Sequence, residues 1–181
     1  MKRVVVPLAE GFEEIEAVAI VDVLRRAGVG VTVAGVGGDV VTGSHGIRVE
    51  CDAHIGSVDP DETDAIVLPG GMPGARNLGE NEAVLRLLRT MARDGKLIGA
   101  ICAAPTVLNA AGILEGRQAT SHPAHENEMD RCQYKRKRVV VDGNLITSRG
   151  AGTAIEFAAE LVAKLVGAEI AEDILTRIVH R

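Results

Sequence analysis

Aromatic residues are almost missing from this chain. Among 181 residues there is no tryptophan, and the only aromatic rings of the Phe/Tyr type are Phe12, Tyr134 and Phe157. A core must therefore be built from aliphatic side chains, and there is no aromatic platform on which nucleic-acid bases could stack. Positive charge is also in deficit: the formal net charge is −5. That argues against a nucleic-acid partner, which needs a basic face. One short basic cluster, Tyr134–Arg138, reads as a solvated loop rather than a binding stripe. Cysteine is scarce. Cys51, Cys102 and Cys132 are odd in number and lack metal-type spacing, so a disulfide framework is not expected and a reducing, cytoplasmic setting is. No run of 18 apolar residues exists, which removes a membrane-spanning helix. The N-terminus carries two basic residues and a short apolar stretch before Glu10, and reads as a first strand instead of a signal peptide.

What is present is alternation. Residues 3–8, 30–36, 64–71 and 96–102 are short β-branched or apolar runs that read as buried strands. Between them, 13–28, 81–95 and 103–112 carry helical spacing, with Gly28 and Gly95 as stops. Residues 39–51 read as a hairpin around Gly43 and Gly46. Residues 139–148 read as another, with Asp142-Gly143 at its turn. Thr153-Ala154-Ile155-Glu156 has the form of a capping box that opens a helix running to about Gly167. A last amphipathic segment, 168–181, is expected as a short extension of one domain spanning 1–181. Strands alternating with helices imply an α/β fold: a mostly parallel central sheet with helices on both faces.

In such sheets, sites lie at the carboxyl ends of the strands. This singles out the loop 9–16, the Pro69-Gly70-Gly71 turn and Cys102. Cys102 stands where a buried strand turns into a helix, as a nucleophile elbow does, and a helix N-terminus favours a thiolate. A buried core cysteine fits the same position. Among the acidic residues of the first helix, Glu13 and Glu14 suit a solvated first turn. Glu16 falls near the apolar stripe, where a carboxyl beside a thiolate would tend to keep its proton. Backbone N–H groups of the Gly-Gly turn could face an oxyanion. Residues 118–121 read as a further strand of the sheet, which would bring His122 near Cys102. His122-x-x-His125 could present two metal ligands, but no third ligand follows from spacing. No cofactor and no metal are expected.

The stretches EGFEEIEAVAIVDVLRRAG, VTVAG, DAIVLPGGMPGARNL, LIGAICAAPTVL, ATSHPAHENEM and LITSRGAGTAIEFA together resemble the ThiJ/PfpI superfamily, in its DJ-one branch. The match follows the family's order over most of the chain. The resemblance implies a flavodoxin-like three-layer sandwich, a homodimer, Cys102 as the reactive cysteine and Glu16 as its carboxyl partner. It also implies oxyanion donors at Gly70, Gly71 and Ala103, and it places His122 on the family's nearby histidine. Peptidases of the superfamily carry histidine directly after the cysteine; Ala103 stands there instead. Relatives place an arginine near Ser-x-Gly that reaches the neighbouring subunit's site; here that position is His45, with Arg48 as a substitute. The expected function is a glutathione-independent glyoxalase or deglycase acting on 2-oxoaldehydes, such as methylglyoxal, or on their early adducts. A redox sensor or protective chaperone using the same cysteine is the alternative, and a cysteine peptidase a third reading.

Overall fold

The computed structural model describes residues 1–180. Its chain order begins β1 (Arg3–Ala9), α1 (Glu14–Arg26), β2 (Gly30–Val36), β3 (Val40–Thr42), β4 (Arg48–Glu50), β5 (Ala53–His54) and β6 (Ala65–Leu68). Then come α2 (Gly74–Glu80), α3 (Glu82–Arg93), β7 (Leu97–Ile101), α4 (Pro105–Ala110), β8 (Gln118–Ala119) and β9 (Gln133–Tyr134). The antiparallel pair β10 (Val139–Asp142) and β11 (Leu145–Ser148), and the helices α5 (Ala154–Leu165) and α6 (Ala168–Arg177), complete it.

The central sheet has seven strands in the order β10-β11-β7-β6-β1-β2-β5. All neighbours run parallel except β10 and β11. Strand periodicity explains how this sheet makes two cores from one set of residues. In β1, Val4, Val6 and Leu8 point to the layer of α1, α5 and α6, where Ile20, Leu24, Phe157 and Leu161 meet them. Val5 and Ala9 point to the opposite layer, with Leu78, Leu88, Met91 and Leu108 from α2, α3 and α4. α3 shows the helical counterpart. Asn81 caps it by accepting from the Ala83 and Val84 N–H groups, and Val84, Leu87, Leu88 and Met91 form its buried stripe. Gly99 in β7 is small for a packing reason. A Cβ there would meet Phe157, Leu161 and Val67 side chains, each at 3.1 Å.

Several expectations are corrected. Residues 118–121 do not join the central sheet: β8 pairs with β9 in a separate two-stranded sheet. The hairpin at 139–148 turns through Gly143-Asn144, because Asp142 pairs with Leu145, and Gly143 takes the positive φ of 62°. Thr153 makes no capping box. Its hydroxyl is bound to Ser148 Oγ at 2.6 Å and to the Gly150 carbonyl, while Glu156 pairs with Arg138. Three elements were not anticipated, among them β9, whose Tyr134 was expected in a solvated loop. α2 carries Gly74 and Gly79 and so shows no apolar period, and β5 contributes only two residues at the sheet edge. α6 packs on α5 through Ala171, Ile174 and Leu175. No helix among the described residues is long and apolar enough to cross a membrane.

Candidate active site

The carboxyl ends of β1, β6 and β7 converge on Cys102. The residue directly follows β7 and has φ of 64°. A side chain other than glycine in the left-handed region is strained, and such strain persists only where neighbours over-determine it. They do so here. The Cys102 N–H donates to the Ser148 carbonyl at 2.9 Å, and the Cys102 carbonyl accepts from the His122 N–H at 2.8 Å. The elbow is thus held from β11 on one side and from the 120s loop on the other. The helix beyond it is short: α4 begins at Pro105 and has six residues.

Glu16 lies fully buried in the first turn of α1. Its Oε2 accepts the Gly70 N–H at 2.8 Å. Its Oε1 is buried with no hydrogen-bond partner. Burial is the main cause that raises its pKa to about 7. The Gly70 N–H and the Cys102 thiol work in the opposite direction, and the Glu13 charge adds to the rise. Cys102 is pushed up to about 12, first by burial and then by the charge and hydrogen bond of Glu16; the Gly71 and Ala103 N–H groups pull it down. A thiolate favoured by the helix alone is therefore not what forms while Glu16 is charged. The two groups share a proton, and between these values the pair holds one.

Of the three expected oxyanion donors, Gly70 has a different task. Its N–H is committed to Glu16, and the Gly71 and Ala103 N–H groups are the two that face the sulfur. Gly70 must also lack a side chain. A Cβ there would lie 2.7 Å from Cys102 Cβ and 2.8 Å from Glu16 Oε2. Gly150, which the sequence did not single out, lines the same space. A Cβ there would stand 3.9 Å from Cys102 Sγ and 3.6 Å from the His122 ring. His122 is exposed; its Nδ1 accepts from the Ala124 N–H at 3.2 Å, and its ring packs edge-on against His125 at 6.2 Å. His125 Nδ1 is paired with Glu128 at 2.6 Å.

The neighbouring carboxylate overturns the expectation of a solvated first turn. Glu13 is the cap of α1, accepting the Glu16 N–H at 2.7 Å. Glu14 is buried, and it grips the β3–β4 hairpin. Its Oε1 accepts from the His45 N–H at 2.6 Å and the Ile47 N–H at 3.4 Å; its Oε2 meets Ser44 Oγ at 3.2 Å and His45 Nδ1 at 2.9 Å. Burial alone would raise its pKa, but the bonds from the His45 ring and N–H outweigh it and hold Glu14 at about 2. Gly43 is required beside it, because a side chain there would run into the Glu14 carboxylate. His45 is therefore engaged within its own chain, and Arg48 is exposed on β4. All three cysteines are free thiols.

The model of the DJ-1/PfpI family matches residues 2–164. The chain belongs to that family. It is 44% identical over 176 residues to the protein dj-1beta of Drosophila melanogaster, covering 96% of this chain and 94% of that one. It is 40% identical over 168 residues to the glutathione-independent glyoxalase DJR-1.2 of Caenorhabditis elegans, covering 92% and 89%. The solved structure of oxidized Toxoplasma gondii DJ-1 superposes with a TM-score of 0.94 at 39% identity, covering 99% of this chain and 98% of that one. The mostly parallel sheet between helical layers is thus the flavodoxin-like DJ-1 fold. α6 begins beyond the segment that the family model matches.

Proposed function

We propose that this member of the DJ-1/PfpI family converts 2-oxoaldehydes to 2-hydroxy acids without glutathione, methylglyoxal to lactate being the simplest case, and that early adducts of these aldehydes are also substrates. The observation that carries the reading is the buried Glu16 carboxyl, with one oxygen free, beside a half-exposed thiol on a strained elbow. The glyoxalase named among its relatives supports it.

Glu16 accepts the S–H proton as the Cys102 sulfur adds to the aldehyde carbon, which forms the C–S bond and pushes the carbonyl pair onto oxygen. The Gly71 and Ala103 N–H groups stabilise that oxyanion until Glu16 returns the proton to it. The Glu16 carboxylate then removes the hydrogen of the same carbon as a proton. Through an enediol it delivers this proton to the adjacent carbon, while the hydroxyl proton of the first carbon passes to the neighbouring oxygen, leaving the thioester of a 2-hydroxy acid. Water cleaves the thioester, giving the 2-hydroxy acid and the free thiol. A carboxyl with a pKa of about 7 can accept and donate at neutral pH with little driving force lost in either direction. His122 orients the substrate at the mouth. We also propose that the chain works as a homodimer, supported by Ile15 and Val18, which stand 62% and 55% exposed on α1.

The test is lactate formation from methylglyoxal by purified protein with no glutathione present. Wild type forms lactate and Cys102→Ala does not; full activity in Cys102→Ala contradicts the mechanism. For the dimer, sedimentation should show twice the 19.0 kDa chain mass, and a single 19.0 kDa species contradicts it. A second reading, oxidation sensing at Cys102, is favoured by the same half-exposed sulfur facing two N–H donors. Mild peroxide should then modify Cys102 ahead of Cys51 and Cys132, and equal modification of all three contradicts it.

A further inference from the structure

A groove of about 470 Å³ leads away from the Cys102 elbow along α4. Three elements line it, and each starts at the site. α2 begins three residues after Gly71 and α4 two residues after Ala103, the residues whose N–H groups face the sulfur. The third wall is the 3-10 helix Pro123–Glu128. It starts next to His122, whose N–H holds the Cys102 carbonyl. The walls are tied near the elbow and again at the far end. Thr106 Oγ1 donates to the Ala103 carbonyl at 2.7 Å. Asn109, buried in α4, donates to the Glu128 carbonyl at 2.8 Å and to the Asp130 carboxylate at 2.9 Å. The groove is therefore preformed, as ligand sites usually are. It belongs to the layer of α2, α3 and α4, across the sheet from the α1 face proposed for the dimer.

From α2 and the residue before its cap, Met72, Arg76 and Glu80 line this groove at four-residue intervals, so they lie along one side of the helix. Arg76 has no ion pair or hydrogen bond among the described residues. The groove's acidic groups do not occupy it. Glu128 is bound by His125 Nδ1 at 2.6 Å, and Glu80 lies one turn farther from the elbow than Arg76. Leading out from the thiol, a chain would thus cross the exposed apolar Met72 and then meet an unpaired guanidinium. We propose that this groove receives the carrier part of an aldehyde adduct, and that Arg76 selects carriers ending in a carboxylate a short chain away from the reacting carbon; this rests on the aldehyde reading above. The planar guanidinium matches a carboxylate with two parallel N–H donors. Methylglyoxal is too small to span from the sulfur to Arg76, so the selection acts on adducts.

The experiment is alkylation of Cys102 in full-length protein by iodoacetyl-glycine, iodoacetyl-diglycine and iodoacetyl-triglycine, each compared with its carboxamide and followed by mass spectrometry. The sulfur bonds to the CH₂ carbon and iodide leaves, so the readout needs only the thiol. A failed lactate assay leaves this result standing, and a failure here leaves the lactate assay untouched. The quantity read is the acid-to-amide rate ratio at Cys102. At the tail length that reaches Arg76, Arg76→Gln should lower the ratio about two- to fivefold, the range of a partly exposed ion pair, and Arg76→Lys should retain part of it. Arg89→Gln removes the same charge from α3, outside the groove, and should leave the ratio unchanged. Cys51 and Cys132 should show no dependence on Arg76. A ratio indifferent to Arg76→Gln at every tail length, an equal fall in Arg89→Gln, or the same dependence at Cys51 and Cys132 would each overturn the proposal.

Discussion

Glu14 and Glu16 leave the same turn of α1, both are buried, and their ionisations lie on opposite sides of an ordinary carboxylate. Glu14 is at about 2 and Glu16 at about 7. Desolvation raises both. The difference lies in donors: Glu14 receives two N–H groups, a hydroxyl and an imidazole, whereas Glu16 receives one N–H and the Cys102 thiol and keeps one oxygen bare. Two neighbouring carboxylates thus divide the work. One fastens a hairpin to the helix, and the other holds an exchangeable proton at the elbow.

The largest expected effect comes from exchanging the reactive member. Glu16→Gln should lower the rate of lactate formation by about 10²–10⁴-fold, the usual contribution of a positioned acid–base group, and Glu14→Gln should leave it within a few fold. A comparable rate loss in both variants would mean that the two carboxylates are not distinct in role. Stability should show the converse. Glu14→Gln should cost about 1.5–3 kcal/mol in urea unfolding at neutral pH, because it weakens several hydrogen bonds to a charged group. Amide exchange should speed up at Ser44, His45 and Ile47.

The pH dependence sharpens the contrast through its sign. Glu14 has a folded pKa below 4.5, so its contribution is present above about 4.5 and is lost as pH falls toward about 2. Glu16 has a folded pKa above 4.5. The folded state therefore binds its proton more tightly, and stability declines as pH rises from about 4.5 to about 7. Unfolding measured from pH 2 to 8 should show Glu14→Gln flattening the acid limb and Glu16→Gln flattening the neutral one. The smallest effect belongs to His122. Its tie to Cys102 is a backbone N–H, which survives in His122→Ala. That variant should change kcat/KM for methylglyoxal by less than about tenfold, and a loss as large as that of Glu16→Gln would assign the proton transfer to the histidine.

The parallel sheet was legible because β1, β2, β6 and β7 are short apolar runs, and burial on both faces demands such runs. Cys102 was legible as an elbow because small residues and Pro105 flank it. What escaped depended on contacts made far along the chain. α2 has no apolar period since Gly74 must pass close to Gly11 and Phe12, where a Cβ would lie 2.7 Å from backbone. Glu14 looks like any first-turn carboxylate until the hairpin loop arrives to bury it. Gly70 belongs to a turn whose composition suggests free N–H groups. Only the position of Glu16 shows that this one is already used. The 118–121 strand has the right composition for a sheet, but β9 is its partner and composition does not name partners.

The central claim is that Glu16, and not its neighbour Glu14, exchanges its proton near neutral pH. Following the glutamate carboxyl carbons by NMR as pH is varied tests it directly. The account predicts a Glu16 midpoint near 7 that moves when Cys102 is replaced by serine, with Glu14 still ionised well below pH 4.5. A Glu16 midpoint near 4.5, indifferent to Cys102, would contradict it.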